Sequence, residues 1–117
     1  MKILVTGAAG FLGRHLAAEA ASRGQVIAVV RVSCDISGAI VVERANLSGR
    51  DAVRLLFERW RPNVVLHAPL RAARVVRSTS EDIYTFFDDN VRATVNLYHY
   101  SQVVGTRRVM FSSSMSV

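Results

Sequence analysis

The sequence predicts an α/β domain built on a parallel β-sheet with helices on both faces. Three observations lead there. Short β-branched runs alternate with segments of helical periodicity along the whole chain, without repeats or linkers, and such alternation demands right-handed crossovers between parallel strands. The run at residues 26–30 is continuously apolar rather than alternating, as a strand covered on both faces must be. A glycine-rich turn, Gly7, Gly10 and Gly13, stands between the first strand and the first helix.

Taken in order, residues 2–6 form a short β-rich run centred on Ile3, Leu4 and Val5. From Phe11 to Arg23 the apolar positions Leu12, Leu16 and Ala20 recur at helical spacing, and Gly24 supplies a stop. Residues 26–30 make the second strand and 39–42 a weaker third. Ser48 with Asp51 resembles a capping box, after which Val53, Leu56, Phe57 and Trp60 follow the i, i+3, i+4, i+7 rule. Pro62 closes that helix, and Val64-Val65-Leu66 is the fourth strand. The polar, basic stretch 71–78 reads as loop. A long helix over 80–104 comes next, capped by Ser80, with Glu81 and Asp82 at its positive end and Gly105 ending it. Its apolar stripe is Ile83, Phe86, Phe87, Val91, Thr94, Leu97 and Tyr98, and residues 108–112 form the fifth strand.

Composition narrows the class. With 117 residues, half of them hydrophobic, the chain suits one compact domain and can bury about two thirds of its unfolded surface without staples. The single cysteine, Cys34, excludes an internal disulfide and a multi-cysteine zinc site. No apolar run approaches the ~20 residues of a membrane span, and the opening Met-Lys-Ile-Leu-Val-Thr-Gly is too short for a signal peptide. A soluble, cytoplasmic protein without a metal site is expected. The net charge of +6 comes from arginines scattered from Arg14 to Arg108, with Lys2 the only lysine. A nucleic-acid footprint would cluster its cations among exposed aromatics, so nucleic acid ranks last among partners.

The chemistry is concentrated in the glycine loop. A G-x-x-G-x-x-G triplet alone is weak evidence, but in a strand–turn–helix setting it points to a dinucleotide. Glycine lets the backbone turn sharply and approach a pyrophosphate, which the unpaired N–H groups and positive end of the helix then receive. A tight turn needing only small residues is the plainer alternative. Cofactor selectivity is expected at the end of the second strand, where an acid favours the ribose hydroxyl of NAD and a cation the 2′-phosphate of NADP. Arg31 occupies that position and inclines the expectation modestly toward NADP, unless it is an ordinary surface arginine. Asn90 interrupts the apolar stripe of the long helix and is expected to bond neighbouring backbone near the site. Ser112, Ser113 and Ser114 end the fifth strand at the carboxyl edge, where open α/β sheets bind ligands. Read without context, they are equally a flexible tail.

The string Thr6-Gly7-Ala8-Ala9-Gly10-Phe11-Leu12-Gly13 departs from the G-x-G-x-x-G of ordinary dehydrogenases. It resembles the extended short-chain dehydrogenase/reductase superfamily, its NAD-dependent nucleotide-sugar epimerases and dehydratases in particular. Pro62-Asn63-Val64-Val65-Leu66-His67, Asn90-Val91 and Phe111-Ser112-Ser113-Ser114 resemble further motifs of that family in the same order, so the likeness covers the whole chain. It implies a Rossmann-type doubly wound parallel sheet of about five strands in the order 3-2-1-4-5, with helices on both faces and the chain cut after strand 5. It also implies that Gly7, Gly10, Phe11, Leu12, Gly13, Asn46, Leu47, Ala68, Asn90 and Ser112 meet the cofactor and that Ser114 is the catalytic serine. Two positions depart from the pattern. Asn46-Leu47 stands where the family has an aspartate before an apolar residue, and His67-Ala68-Pro69-Leu70 replaces a His-x-Ala-Ala-like turn. His67 reads as a structural strand-end residue rather than a base.

In that family a tyrosine moves the proton, its pKa lowered by a lysine four residues on. An unperturbed phenol is a poor base at neutral pH, and a nearby cation helps ionise it. Tyr84, Tyr98 and Tyr100 are followed at that spacing by Asp88, Gln102 and Val104. The dyad is therefore missing, and the resemblance implies the NAD(P)-binding portion of an epimerase, dehydratase or reductase, incomplete for turnover. A non-catalytic dinucleotide-binding sensor or regulatory module is the alternative. The long helix, 80–104, is a candidate homodimer surface.

Overall fold

The structure, a computed structural model, describes residues 1–31, 36, 38, 40–68 and 80–112, with the side chains of 80–82 outside the description. The strands are β1 (Lys2–Thr6), β2 (Gln25–Val30), β3 (Val41–Arg44), β4 (Val64–His67) and β5 (Arg108–Phe111). They form one sheet in the order β3-β2-β1-β4-β5, and every neighbouring pair is parallel. The helices are α1 (Phe11–Ala21), α2 (Arg50–Trp60) and a long element composed of α3 (Ser80–Phe87), a π-helical turn (Asp88–Arg92) and α4 (Ala93–Val104). The expected Rossmann-type topology is the one observed.

Alternation along the central strands divides the core into two layers. Ile3 and Val5 of β1 lie level with Val26 and Ala28 of β2, and this face packs on Ala17 and Ala20 of α1. Leu4, Val29 and Val65 point the other way, against Val53, Leu56 and Phe57 of α2 and Leu97 and Tyr100 of α4. A strand so covered has no polar face to show, which is why β2 is apolar from Val26 to Val30, with only Gln25 at its start polar and exposed.

Three elements differ from the sequence expectation. β3 runs over Val41–Arg44 rather than 39–42, because its ladder with β2 sets Val41 beside Ile27 and Arg44 beside Val30. As an edge strand it carries charges, and Glu43 accepts from Trp60 Nε1 at 3.0 Å. The start of α2 has no side-chain cap, and its N-cap is Gly49. Ser48 is engaged elsewhere, its N–H and Oγ both donating to Asn46 Oδ1. The stop before Pro62 is made by Arg61, left-handed at φ 44°, since a residue preceding proline is driven out of the right-handed helical region.

The third difference is the π-helical turn inside the long helix. Asn90 Nδ2 donates to the Phe86 carbonyl at 2.9 Å and Thr94 Oγ1 to the Asn90 carbonyl at 2.6 Å, so two side chains enter the ladder of this stretch. The wider turn rotates α4 about the helix axis. Ala93, Asn96, Leu97, Tyr100 and Ser101 face the core, whereas Ile83, Phe87, Val91 and Tyr98 of the expected stripe are exposed. The helix ends as expected at Gly105, left-handed at φ 76°. Thr106 N–H reaches the Ser101 carbonyl and Gly105 N–H the Gln102 carbonyl, which is a Schellman ending.

Candidate functional site

Because all five strands are parallel, their carboxyl ends share one edge, where α/β sheets take ligands. Thr6, Arg31, His67 and Ser112 stand at or just beyond those ends. The loop between β1 and α1 is tied down by Gly10 N–H to the Gly7 carbonyl at 3.0 Å and Ala8 N–H to the Val29 carbonyl at 3.4 Å. Gly7 is left-handed at φ 63°. A Cβ on Gly13 would overlap the Gly7 carbonyl, so the first turn of α1 lies directly against the loop. The first intrahelical bond is Arg14 N–H to Gly10 O, which places the amides of Phe11, Leu12 and Gly13 in the free first turn. That turn has no side-chain cap and no acidic residue. Bare main chain at a positive helix end, backed by close glycine contacts, fits a pyrophosphate. The side chains of Phe11 and Leu12 are exposed, and Phe11 stacks edge-on against His15 at 4.8 Å.

Arg14 carries no sequence signal beyond its place after the third glycine. Its Nε donates to the Ala9 carbonyl at 3.1 Å, setting a guanidinium over the loop. Arg31 lies exposed beyond β2, but its Nη1 pairs with Asp89 Oδ2 at 2.8 Å. Arg44 Nε donates to the Arg31 carbonyl at 3.1 Å. Nothing in the sequence around Arg31 signals Asp89, which lies 58 positions away.

Asn46 is exposed beyond β3, and its side-chain carbonyl oxygen accepts from both the N–H and the Oγ of Ser48. Leu47 packs against the second core layer, and its carbonyl accepts from Asn96 Nδ2 at 2.9 Å. Ala68 is buried and its N–H donates to Thr6 Oγ1 at 3.3 Å. Asn90 bonds backbone, as expected. Ser112 N–H donates to the His67 carbonyl at 3.0 Å, extending the pairing of β5 with β4 by one residue. Ser114 lies outside the described residues, as do Ser113, Pro69 and Leu70.

His67 is 1% exposed. Its Nδ1 lies 2.7 Å from Thr6 Oγ1 and its Nε2 2.9 Å from Thr94 Oγ1. Thr94 spends its only hydrogen on the Asn90 carbonyl, so Nε2 must carry a proton and donate to Thr94. Nδ1 is then bare and accepts from Thr6. Burial pushes the imidazole down to about 4, in agreement with a neutral ring. Both nitrogens are committed to structure. Thr6 opens the glycine string and Thr94 falls on the expected stripe, but their pairing with His67 escaped the sequence reading, and the one available sign was a threonine four residues after Asn90 on the same helix.

Among the described residues no group of three or more His, Cys, Asp or Glu could hold a metal ion, and no helix is long and apolar enough to cross a membrane.

Comparison with known proteins agrees with this geometry. A profile of the NAD dependent epimerase/dehydratase family matches residues 3–117. The chain is 26% identical over 132 residues to a UDP-glucose 4-epimerase of Pisum sativum, covering 99% of itself and 37% of that protein. It superposes with a TM-score of 0.83 and 27% identity on the Thermus thermophilus UDP-glucose 4-epimerase in complex with NAD, covering 97% of itself and 38% of that chain. An L-threonine dehydrogenase from Clostridium difficile also reaches 0.83, at 18% identity, a likeness of fold alone. The chain thus spans little more than a third of these relatives.

Proposed function

Because this chain belongs to the NAD dependent epimerase/dehydratase family, we propose that it binds NAD(P) along the carboxyl edge of its sheet. It serves as the cofactor-binding portion of an enzyme that epimerises, dehydrates or reduces a nucleotide sugar or a similar hydroxy or keto substrate. The glycine loop carries the reading, since Gly13 has no room for a Cβ and the first turn of α1 is left uncapped. Gly7, Gly10 and the amides of Phe11, Leu12 and Gly13 hold the pyrophosphate. The Asn46 amide and Leu47 meet the adenine. Arg31 takes a 2′-phosphate, which supports a modest preference for NADP. Ala68, Asn90 and Ser112 line the cofactor's path, and Ser114 hydrogen-bonds the substrate oxygen. When bound, the nicotinamide supplies or accepts a hydride. Lacking a Tyr-x-x-x-Lys pair, these 117 residues bind without turnover. Cofactor of this kind suits a cytoplasmic protein.

The exposed apolar residues of the long helix, Tyr84, Phe87, Val91, Val95 and Tyr98, support a homodimer through that face. Calorimetric titration with NADP and NAD tests the main reading. Saturable binding of either is expected, with NADP the tighter; binding of neither would refute it, and a tighter NAD would refute the role given to Arg31.

A further inference from the structure

Resting on that cofactor reading, we infer that Asp89 is a specificity-determining residue whose carboxylate sets how strongly Arg31 favours a 2′-phosphate over a free ribose hydroxyl. Three elements converge on the spot. Arg31 follows β2, Arg44 ends β3 and binds the Arg31 carbonyl through its Nε, and Asp89 rides on the π-helical turn with Oδ2 2.8 Å from Arg31 Nη1. The two partners differ in freedom. The Arg31 side chain is 57% exposed and that of Asp89 only 13%, so the arginine can swing toward a ligand while the acid stays on its helix.

A 2′-phosphate arriving at Arg31 therefore meets a guanidinium already neutralised, with a fixed negative charge a few ångströms behind it. It must share Arg31 with Asp89 or displace it, and like charges at that range repel. A ribose carrying a free 2′-hydroxyl carries no such cost, and its O–H donates to a carboxylate. Arg31 attracts the phosphate, and Asp89 limits the discrimination Arg31 achieves.

Calorimetric titration of the full 117-residue chain with NADP and with NAD reads this directly. Asp89→Asn keeps the size of the side chain and one acceptor oxygen while removing its charge. NADP is expected to bind about five- to tenfold more tightly to that variant, with NAD unchanged or weaker. In an Arg31→Ala background the same substitution should raise the NADP-to-NAD ratio clearly less than it does with Arg31 present, since only the direct repulsion is then relieved. An unchanged ratio in Asp89→Asn, or the same gain with and without Arg31, overturns the inference. Asp89→Ser gives a second reading of the ratio should the asparagine disturb the turn, and a thermal melt without nucleotide reports folding of each variant. If the parent chain binds neither dinucleotide, the cofactor reading falls and this inference falls with it; if it binds both and Asp89→Asn leaves their ratio as it was, only this inference falls.

Discussion

His67 lies out of water at the end of β4 with Thr6 on one nitrogen and Thr94 on the other. Its pKa in the fold is about 4, against 6.5 as the ordinary value, so the unfolded chain binds the extra proton first. Stability from this residue is complete above pH 6.5 and is lost as the pH falls through 4. The difference corresponds to about 3 kcal/mol at full protonation. Urea unfolding of the parent and of His67→Gln between about pH 7 and 4 should show a steep loss in the first and a flatter profile in the second, starting from a lower plateau. Parallel profiles would show that other groups control the acid limb. The sequence could mark His67 as a strand-end residue, since histidine after an apolar run is visible. Its two threonine partners were not legible, because they come from β1 and α4 and meet it only through the sheet order.

Elements were legible where one local cause determines them. The glycine loop, the two-sided burial of β2 and the Gly105 ending each follow from a few adjacent residues. Where a distant partner decides, local reading failed: the β2 ladder moved β3, and Asn46 took Ser48 away from the start of α2. In the π-helical turn, Asn90 and Thr94 each engage a carbonyl four residues back, and a stripe drawn at constant helical spacing passes through that turn without registering it. The glycine loop supports a prediction of its own. A Cβ on Gly10 would sit 3.2 Å from the Gly7 carbonyl, tight but tolerable, whereas one on Gly13 overlaps it. Gly10→Val should therefore abolish dinucleotide binding with little loss of thermal stability, and Gly13→Val should cost the fold itself. A melting and binding series on both would expose an error if Gly10→Val retained affinity or if Gly13→Val melted like the parent.

At the scale of the molecule, the sheet buries its two layers well while the outer face of the long helix stays apolar. Tyr84 is 72% exposed and Val95 60%, in a stretch where soluble monomers show polar residues. Val95→Glu puts a charge at the middle of that face. Light scattering coupled to size exclusion should give a dimer for the parent and a monomer for the variant; a monomeric parent would remove the long helix as an assembly surface. The parallel sheet was readable because alternating strand and helix patterns leave few topologies open, whereas the strand order came only with the family resemblance. Which apolar residues of that helix face inward was not, because the π-helical turn rotates α4.

The hydrogen bonds around His67 form a chain with a single polarity. Ala68 N–H feeds Thr6, Thr6 feeds His67, His67 feeds Thr94, and Thr94 ends on the Asn90 carbonyl. An amide at one end and a carbonyl at the other are both main chain, so neither can give up or accept a proton at neutral pH. Such a chain cannot be flipped to its mirror arrangement, and it therefore conducts nothing. It works as a strut, bracing the glycine-loop strand against the turn that carries Asp89 and Asn90.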